Sequence, residues 1–274
     1  MLLLIGVVIG LILGLTGAGG SVFAVPLLLS LGDMSMVDAT GISLGAVAAT
    51  TLYASLSNSL SRKQVPLLWK PGLLLALSGA LAAPLGKWLG MQLDELVLIS
   101  GFGLLATIIA LRMWMNARNN PQAASLVRAG NFAATPSPEH LCNVNPTGQF
   151  ELRPRCVTGL LIGGLGVGIL SGLFGVGGGF LIVPLLLALS AVSMAQAVST
   201  SLLIIALISS SGFISHLALS ENQHWDWLLL VAAGGLAGMM LGQPVSHKIA
   251  NVWLQKLFAI GLLAVALMTL ARYL

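Results

Sequence analysis

Residues Gly10–Leu29 read GLILGLTGAGGSVFAVPLLL, and Gly168–Leu187 repeat the pattern as GILSGLFGVGGGFLIVPLLL. When Gly10–Met36 is aligned with Gly168–Met194 without a gap, 14 of 27 positions are identical. Glycine destabilises a helix interior and proline removes a backbone donor, so both stretches predict a break in an apolar helix. Paired breaks at matching positions of two repeats are typical of membrane transporters, which bind their substrate there.

The composition indicates a membrane protein. The chain is 57% hydrophobic and 7% charged, with a mean hydropathy of +0.99, whereas about a quarter of the residues are charged in a soluble domain. A helix that crosses the bilayer needs about 20 apolar residues. Eight apolar segments satisfy this, at 1–31, 36–60, 66–90, 94–115, 157–190, 194–219, 225–247 and 251–273.

We therefore predict an all-α polytopic membrane protein built from two homologous four-segment repeats, with the first segment of each repeat discontinuous or re-entrant. The first repeat covers residues 1–116 and the second covers 156–274. Between them, 117–155 is a polar linker rich in arginine and proline. Its later part predicts two short strands around a turn at Asn145–Gly148, since proline and glycine there suit a tight turn.

Charge and cysteine content exclude several classes of function. The net charge is +4 and the pI about 9.4, but the 12 lysines and arginines lie in loops, as the positive-inside rule expects of a membrane protein rather than a nucleic-acid binder. Cys142 and Cys156 flank the linker, and this spacing predicts neither a disulfide nor a metal site. No cofactor is expected.

Two orientations are open. If each broken segment crosses the membrane once, the basic residues divide nine to three between the faces, and if it folds back as a hairpin, they divide ten to two. Both models place the linker in the cytoplasm, but they put the termini on opposite sides. The pieces before and after each break are too short to cross a core of about 30 Å alone. The hairpin is favoured because the N-terminus carries no Lys or Arg.

The glycines form two sets with different expected roles. One set is spaced by four and predicts close helix packing of the small-xxx-small kind; it comprises Gly6, Gly10, Gly14, Gly164, Gly168 and Gly172. The other set has no helical period and predicts irregular backbone. It comprises Gly17, Gly19 and Gly20 in the first repeat and Gly175, Gly177, Gly178 and Gly179 in the second.

The helix after each break is expected to begin with amides that lack an acceptor. In the first repeat these belong to Gly20, Ser21 and Val22, and in the second to Gly178, Gly179 and Phe180. Such a helix N-terminus attracts anions, and irregular backbone at membrane depth persists only beside protein or a water-filled cavity. The breaks therefore predict an anion site, with a simple helix kink as the alternative.

Small polar residues follow both breaks and predict the lining of a substrate path. Ser43 and Ser201 are repeat equivalents, as are Asn58 and His216. The alternatives are that the hydroxyls bond their own helix and that His216 lies at the membrane interface.

Acidic residues fall near segment ends, which argues against a cation pump and favours a small anion. Lys87 is expected to snorkel to the interface.

Gly14–Pro26, Ser171–Pro184 and the linker pattern Cys142…Pro146-Thr147-Gly148 resemble the sulfite exporter TauE/SafE family of membrane permeases. The resemblance covers nearly the whole chain and implies transport of sulfite, sulfonates, sulfoacetate and related anions, by export in some members and import in others. Two departures make the half-sites unequal. Ser21 replaces the glycine found at Gly179, and Asn58 stands opposite His216.

The expected function is a secondary permease for small sulfur-containing or organic anions, most consistent with sulfite or organosulfonate export across a bacterial inner (plasma) membrane. The expected partners are the anion and the bilayer, with no nucleic acid, and homo-oligomerisation is left open. Uptake of a sulfonate or carboxylate and a non-transporting assembly factor are alternatives. An intramembrane hydrolase using His216 is disfavoured because no acid is placed to orient the imidazole, and no enzyme is expected.

Overall fold

The part of the chain that the computed structural model describes contains the nine α-helices named below, one 3-10 segment and further helical residues at 259–264. That part comprises residues 1–17, 19–32, 34–60, 67–119, 142, 154–190, 192, 194–220, 224–249, 259–264 and 268. The helices are α1 (Leu2–Thr16), α2 (Ala24–Gly32), α3 (Met36–Leu60), α4 (Trp69–Gln92), α5 (Glu95–Asn119), α6 (Pro154–Phe174), α7 (Gly179–Leu189), α8 (Met194–Leu219) and α9 (Trp225–Ile249). The 3-10 segment is Gly19–Phe23.

These helices confirm the predicted all-α polytopic membrane architecture. Within the described ranges, five helices are long and apolar enough to cross a membrane, namely α3, α4, α6, α8 and α9. Shorter apolar stretches are α1 (Leu2–Thr16), the 3-10 segment together with α2 (Gly19–Gly32) and the part Glu95–Leu111 of α5. The repeat boundaries at 116 and 156 stay a prediction.

The broken segment of the second repeat folds back on itself. A Cβ placed on Gly159, near the start of α6, would lie 3.3 Å from Leu189 at the end of α7. A Cβ on Gly163, one turn later, would lie 2.6 Å from Leu185, one turn earlier. Because contacts late in α7 match positions early in α6, the two helices are antiparallel. The hairpin prediction is therefore confirmed for this repeat.

The two repeats are inverted relative to each other. Gly41 of α3 lies against His216 of α8, and Asn58 Nδ2 of α3 donates to Ser199 Oγ of α8 at 3.4 Å. Positions 41 and 199 are repeat equivalents, and so are 58 and 216, so each contact is the symmetry mate of the other. Equivalent spanning helices that run antiparallel require a pseudo-two-fold axis in the membrane plane.

Each hairpin is packed into the opposite repeat through its glycines. A Cβ on Gly10 of α1 would collide with the backbone carbonyl of Gly235 in α9, and one on Gly168 of α6 with that of Gly79 in α4. The predicted small-xxx-small packing is confirmed. The glycines let the helix backbones approach so closely that no side chain fits between them. All six face the backbone of α9 or α4, at Gly6, Gly10, Gly14, Gly164, Gly168 and Gly172.

The cysteine prediction is wrong, because Cys142 and Cys156 form a disulfide with a Cα–Cα distance of 5.1 Å. The fold explains the bond. The hairpin brings the start of α6 beside the end of α7, and the Cys142 amide donates to Leu189 O at 2.9 Å, which ties the linker to the same place. The spacing of the two cysteines along the chain does not indicate that they lie close together. Cys142 also bridges Ser190, while the rest of the predicted strand pair lies outside the described residues.

Gly168→Ala is expected to destabilise the protein by about 1–3 kcal/mol, since the added methyl overpacks the α6–α4 contact. Gly166→Ala, two residues away on the same helix, is the matched control because its Cβ would meet nothing within 4 Å. There the gain in helix propensity leaves stability unchanged or raised. The midpoint of thermal unfolding in detergent measures both. Equal midpoints for the two variants would contradict the packing described.

Candidate functional site

The second break is a left-handed turn followed by a helix N-terminus. Gly175, Gly177 and Gly178 have φ angles of +69°, +68° and +67°, a region that side chains other than glycine rarely adopt. Gly178 is the N-cap of α7, and its carbonyl accepts the first helical bonds, from the amides of Leu181 and Ile182 at 3.0 and 3.1 Å. The amides before Leu181 have no acceptor within α7, so they are donors for a ligand.

Two buried hydroxyls flank this turn. Ser171 is 1% exposed and Ser209 is fully buried, and the structure gives neither Oγ a hydrogen-bond partner among the residues it describes. The Cβ position of Gly177 is 2.9 Å from Ser209 Oγ, and that of Gly178 is 3.6 Å from Ser171 Cβ. An unpaired buried hydroxyl costs about 1–3 kcal/mol. Two unpaired buried hydroxyls at one turn favour a ligand-binding site there.

Neither serine was among the predicted site residues. Ser171 lies in the apolar helix before the break, and its repeat equivalent is Leu13. A comparison of the two repeats therefore does not single out this position as polar. Ser209 stands among several hydroxyls of α8, and its position in the sequence does not distinguish it from serines that bond their own helix. Only the folding back of α7 brings both hydroxyls to the break.

Ser43 and Ser201 are repeat equivalents with different contacts. The hydroxyl of Ser43 donates to Gly175 O at 2.7 Å, so it reaches the second break and satisfies a carbonyl there. The hydroxyl of Ser201 donates to Val198 O at 2.8 Å, within its own helix. The structure therefore brings Ser43 to a break and assigns Ser201 to the local role that hydroxyls in helices often have.

The first break has a different backbone. Gly17, with a φ of +82°, ends α1, but a 3-10 segment over Gly19–Phe23 intervenes before α2 starts at Ala24. The expected helix start at Gly20 is thus displaced. In this break only Gly17 has a positive φ among the described residues, whereas Gly175, Gly177 and Gly178 all do in the second break. Ser21 replaces the glycine found at Gly179. Ser21 is fully buried.

The two breaks meet inside the protein. Helix α7, which follows the second break, contacts the 3-10 segment Gly19–Phe23 of the first break. Gly17 packs against Val198 of α8, and its repeat equivalent Gly175 packs against Thr40 of α3. The antiparallel α3 and α8 thus hold the breaks from both sides.

Asn58 and His216 lie next to these contacts, one at each end of the α3–α8 pair. Asn58 bonds Ser199 and accepts from Gln243 Nε2 at 3.5 Å. His216 is 6% exposed, and its Nδ1 is 3.1 Å from Ser220 Oγ while its other edge faces Gly41. The imidazole is therefore buried between helices near the end of α8, and its contact with the substrate stays a prediction.

Lys87 is buried as well, and the expectation that it snorkels to the interface is wrong. Its side chain is 2% exposed, and Nζ donates to Val37 O at 3.0 Å and to Thr40 Oγ1 at 2.7 Å. The reason is the packing of α4, which lies against α6 and α8, so that a Cβ on Gly172 of α6 would lie 2.9 Å from Lys87 N. From this position the Lys87 side chain reaches the start of α3 inside the protein. The sequence suggested an exposed helix end because Trp88 follows.

The family model described as "Sulfite exporter TauE/SafE" matches residues 2–269 of this chain. The chain belongs to the sulfite exporter TauE/SafE family. The resemblance seen in the paired glycine motifs is thereby confirmed, and the protein is a multi-pass membrane protein of a transporter family.

Relatives described as probable membrane transporter proteins match nearly the full chain. The protein is 31% identical over 272 residues to a "Probable membrane transporter protein" from Xylella fastidiosa strain 9a5c, covering 97% of this chain and 93% of the relative. It is 26% identical over 256 residues to the "Probable membrane transporter protein YunE" from Bacillus subtilis, covering 90% of this chain and 88% of the relative. No solved structure matches the chain.

Ser209→Ala is expected to leave this TauE/SafE protein as stable as before or more stable when no anion is present, because it removes an unpaired buried hydroxyl. Ser201→Ala is the control on the same helix, since it removes a hydroxyl that is already bonded. Thermal unfolding in anion-poor buffer compares them. A midpoint for Ser209→Ala clearly below that of Ser201→Ala would mean that the Ser209 hydroxyl has a partner.

Proposed function

We propose that this protein is a secondary permease for small sulfur-containing or organic anions, with sulfite or an organosulfonate as substrate and export as the direction. The observation that carries the proposal is the pair of unpartnered hydroxyls, Ser171 and Ser209, beside the free amides at the start of α7. Uptake of a sulfonate or a carboxylate by the same site is the alternative. The substrate-binding residues proposed from the sequence are Gly17, Gly19, Gly20, Ser21, Gly175, Gly177, Gly178, Gly179, Ser43, Ser201, Asn58 and His216.

The chemistry of the second break suits an oxyanion. Sulfite and sulfonate groups carry three oxygens that accept hydrogen bonds, and the break offers amide donors, two hydroxyls and the positive end of a helix dipole. A turn of left-handed glycines followed by helical amides is a concave arrangement that binds anions in many proteins. Among the described residues, the buried polar side chains include no carboxylate. This supports an anion over a cation as the substrate.

The inverted repeats suggest how access alternates. A pseudo-two-fold axis in the membrane plane makes the two hairpins enter from opposite faces, and their tips meet between α3 and α8. Rocking one repeat against the other would expose the tips first to one face and then to the other. The glycine contacts of α1 with α9 and of α6 with α4 would move each hairpin together with the opposite repeat.

Replacing both serines, as Ser171→Ala/Ser209→Ala, is expected to reduce sulfite or sulfoacetate flux at subsaturating concentration. A hydrogen bond to a charged group is worth about 1.5–3 kcal/mol, so the loss is about tenfold or more per hydroxyl. Flux into proteoliposomes measures it, with Ser190→Ala as the control that retains wild-type flux, because that buried hydroxyl is already bonded to Leu186 O at the far end of α7. This pair is preferable to Gly178→Leu, because a side chain at φ +67° and 2.5 Å from Val167 would also disturb folding.

Undiminished flux in the double variant would exclude the site. Thermal stabilisation of the wild type by sulfite, thiosulfate, sulfoacetate, taurine and sulfate at equal ionic strength tests the substrate class. If no anion stabilises the protein or is transported into proteoliposomes, the transport proposal is wrong and the assembly-factor alternative is favoured.

The proposed location is a bacterial inner membrane with the 117–155 linker in the cytoplasm. In the inverted arrangement the starts of α4 and α6 and the end of α9 share one face, which carries Lys70, Arg155 and Lys248. Counted over the sequence, that face has ten basic residues and the other has two. The Cys142–Cys156 pair lies on the same face. Cytoplasmic disulfides are rare because thiols are kept reduced there.

If the linker is cytoplasmic, the disulfide of the structure is expected to be absent in cells and to form only when the purified protein is oxidised. Thiol trapping in cells is then expected to find Cys142 and Cys156 reduced. Cells quenched with acid and labelled with a maleimide polymer should yield protein carrying two labels, since the chain has only 2 cysteines. Cys142→Ser carries one label and serves as the control. Unlabelled wild-type protein that gains two labels after reduction would mean an oxidised pair and would place the linker outside the cytoplasm.

A further inference from the structure

Lys87 has a structural counterpart in the other repeat that the sequence offset misses. Gly14 and Gly172 are repeat equivalents, and a Cβ on each would lie close to a backbone nitrogen of the opposite repeat. For Gly172 that nitrogen belongs to Lys87, at 2.9 Å, and for Gly14 it belongs to Gln243, at 3.0 Å. Lys87 of α4 and Gln243 of α9 are 156 residues apart, whereas the glycine motifs of the two repeats are 158 apart. The structural equivalence of α4 and α9 therefore differs from the sequence offset by two residues.

The neighbours of these two residues are also equivalent but differ in charge. Gln243 bonds Asn58, which makes a neutral pair of amides at the first break. His216 is the repeat equivalent of Asn58, and its ring faces Gly41, the residue after the Thr40 that accepts from Lys87. The second break thus has a lysine and a histidine where the first has two amides.

Lys87 reaches the second break through Thr40 of α3. Its Nζ bonds Thr40 Oγ1, and the Cβ position of Gly175 is 2.5 Å from Thr40 Cα. Both acceptors of the ammonium, Val37 O and Thr40 Oγ1, are neutral. A buried cation is costly unless a counter-charge stabilises it.

A purely structural role is the competing explanation. Lys87 joins α4 to the first turn of α3, and Asp38 on that turn is partly buried and exerts an electrostatic effect on the lysine. The carboxylate of Asp38, however, accepts the hydroxyl of Ser35 at 2.7 Å, and the Asp38 amide donates back to Ser35 Oγ at 3.1 Å. This reciprocal pair caps α3. Asp38 therefore has a role that does not need Lys87.

We propose that Lys87 is the charge partner of the transported anion, so that the two half-sites are unequal and the anion's charge is neutralised at the second break. The proposal rests on the permease function above. It assigns the first break, with Gln243 and Asn58, to hydrogen bonding without charge. It also predicts selectivity for anions with net negative charge over zwitterions that carry the same sulfonate group.

Lys87→Gln tests this most directly, because it gives the second break the residue of the first. Dissociation constants for sulfoacetate and taurine are measured on the purified protein, together with the midpoint of unfolding without anion. We expect the constant for sulfoacetate to rise about tenfold or more, with a smaller rise for taurine. Lys87→Arg keeps the charge and is expected to retain much of the affinity. Gln243→Met, at the matched position of the other repeat, is expected to change the dissociation constant for sulfoacetate much less than Lys87→Gln does.

A constant for sulfoacetate in Lys87→Gln within twofold of wild type would overturn the proposal, and a lower unfolding midpoint with unchanged affinity would establish the structural role. If Lys87→Gln does not fold, Lys87→Met removes the charge with less change in shape and is judged by the same criterion. Wild-type protein that neither binds nor transports any anion would refute the permease function itself. Wild-type transport with an unaffected Lys87 variant would refute only this assignment.

Discussion

Irregular backbone inside a membrane must be satisfied by protein, because lipid supplies neither donors nor acceptors. Both glycine breaks meet this constraint by burial in the opposite repeat. The carbonyl of Gly175 accepts from Ser43 of α3, and the left-handed turn up to Gly178 directs its remaining donors inward. The hairpins can be buried so deeply only because glycines on α1 and α6 allow backbone contact with α9 and α4. The inverted architecture and the site follow from the same constraint.

The two breaks differ in how the polar groups around them are paired. The first break proceeds through a 3-10 segment with a single left-handed glycine among the described residues, and its neighbours Gln243 and Asn58 bond each other. The second break has a sharper turn, two unpaired hydroxyls and a buried lysine. Unpaired groups in a well-packed interior are costly. A bound anion would remove that cost at the second break.

Several features could be predicted from the sequence because they rest on local periodicity. The apolar segments, the breaks at Gly17 and Gly175, and the packing faces of glycines spaced by four all depend on residues close together in the chain. The equivalence of the repeats was visible over Gly10–Met36 for the same reason. Ser43 could be proposed at a break because it follows the first break closely and has a repeat partner.

Other features depended on which helices come together. Lys87 resembled an interfacial lysine, but α4 packs against α6 and α8 and the ammonium bonds the start of α3 inside the protein. Cys142 could meet Cys156 only at the base of a hairpin. Ser171 and Ser209 became significant only where α7 folds back between them. The sequence by itself determined a membrane protein of two repeats with glycine breaks, because hydropathy and backbone freedom are local properties. Only the tertiary structure decided the inversion of the repeats and the inequality of the two breaks, because both depend on contacts between residues far apart in the chain.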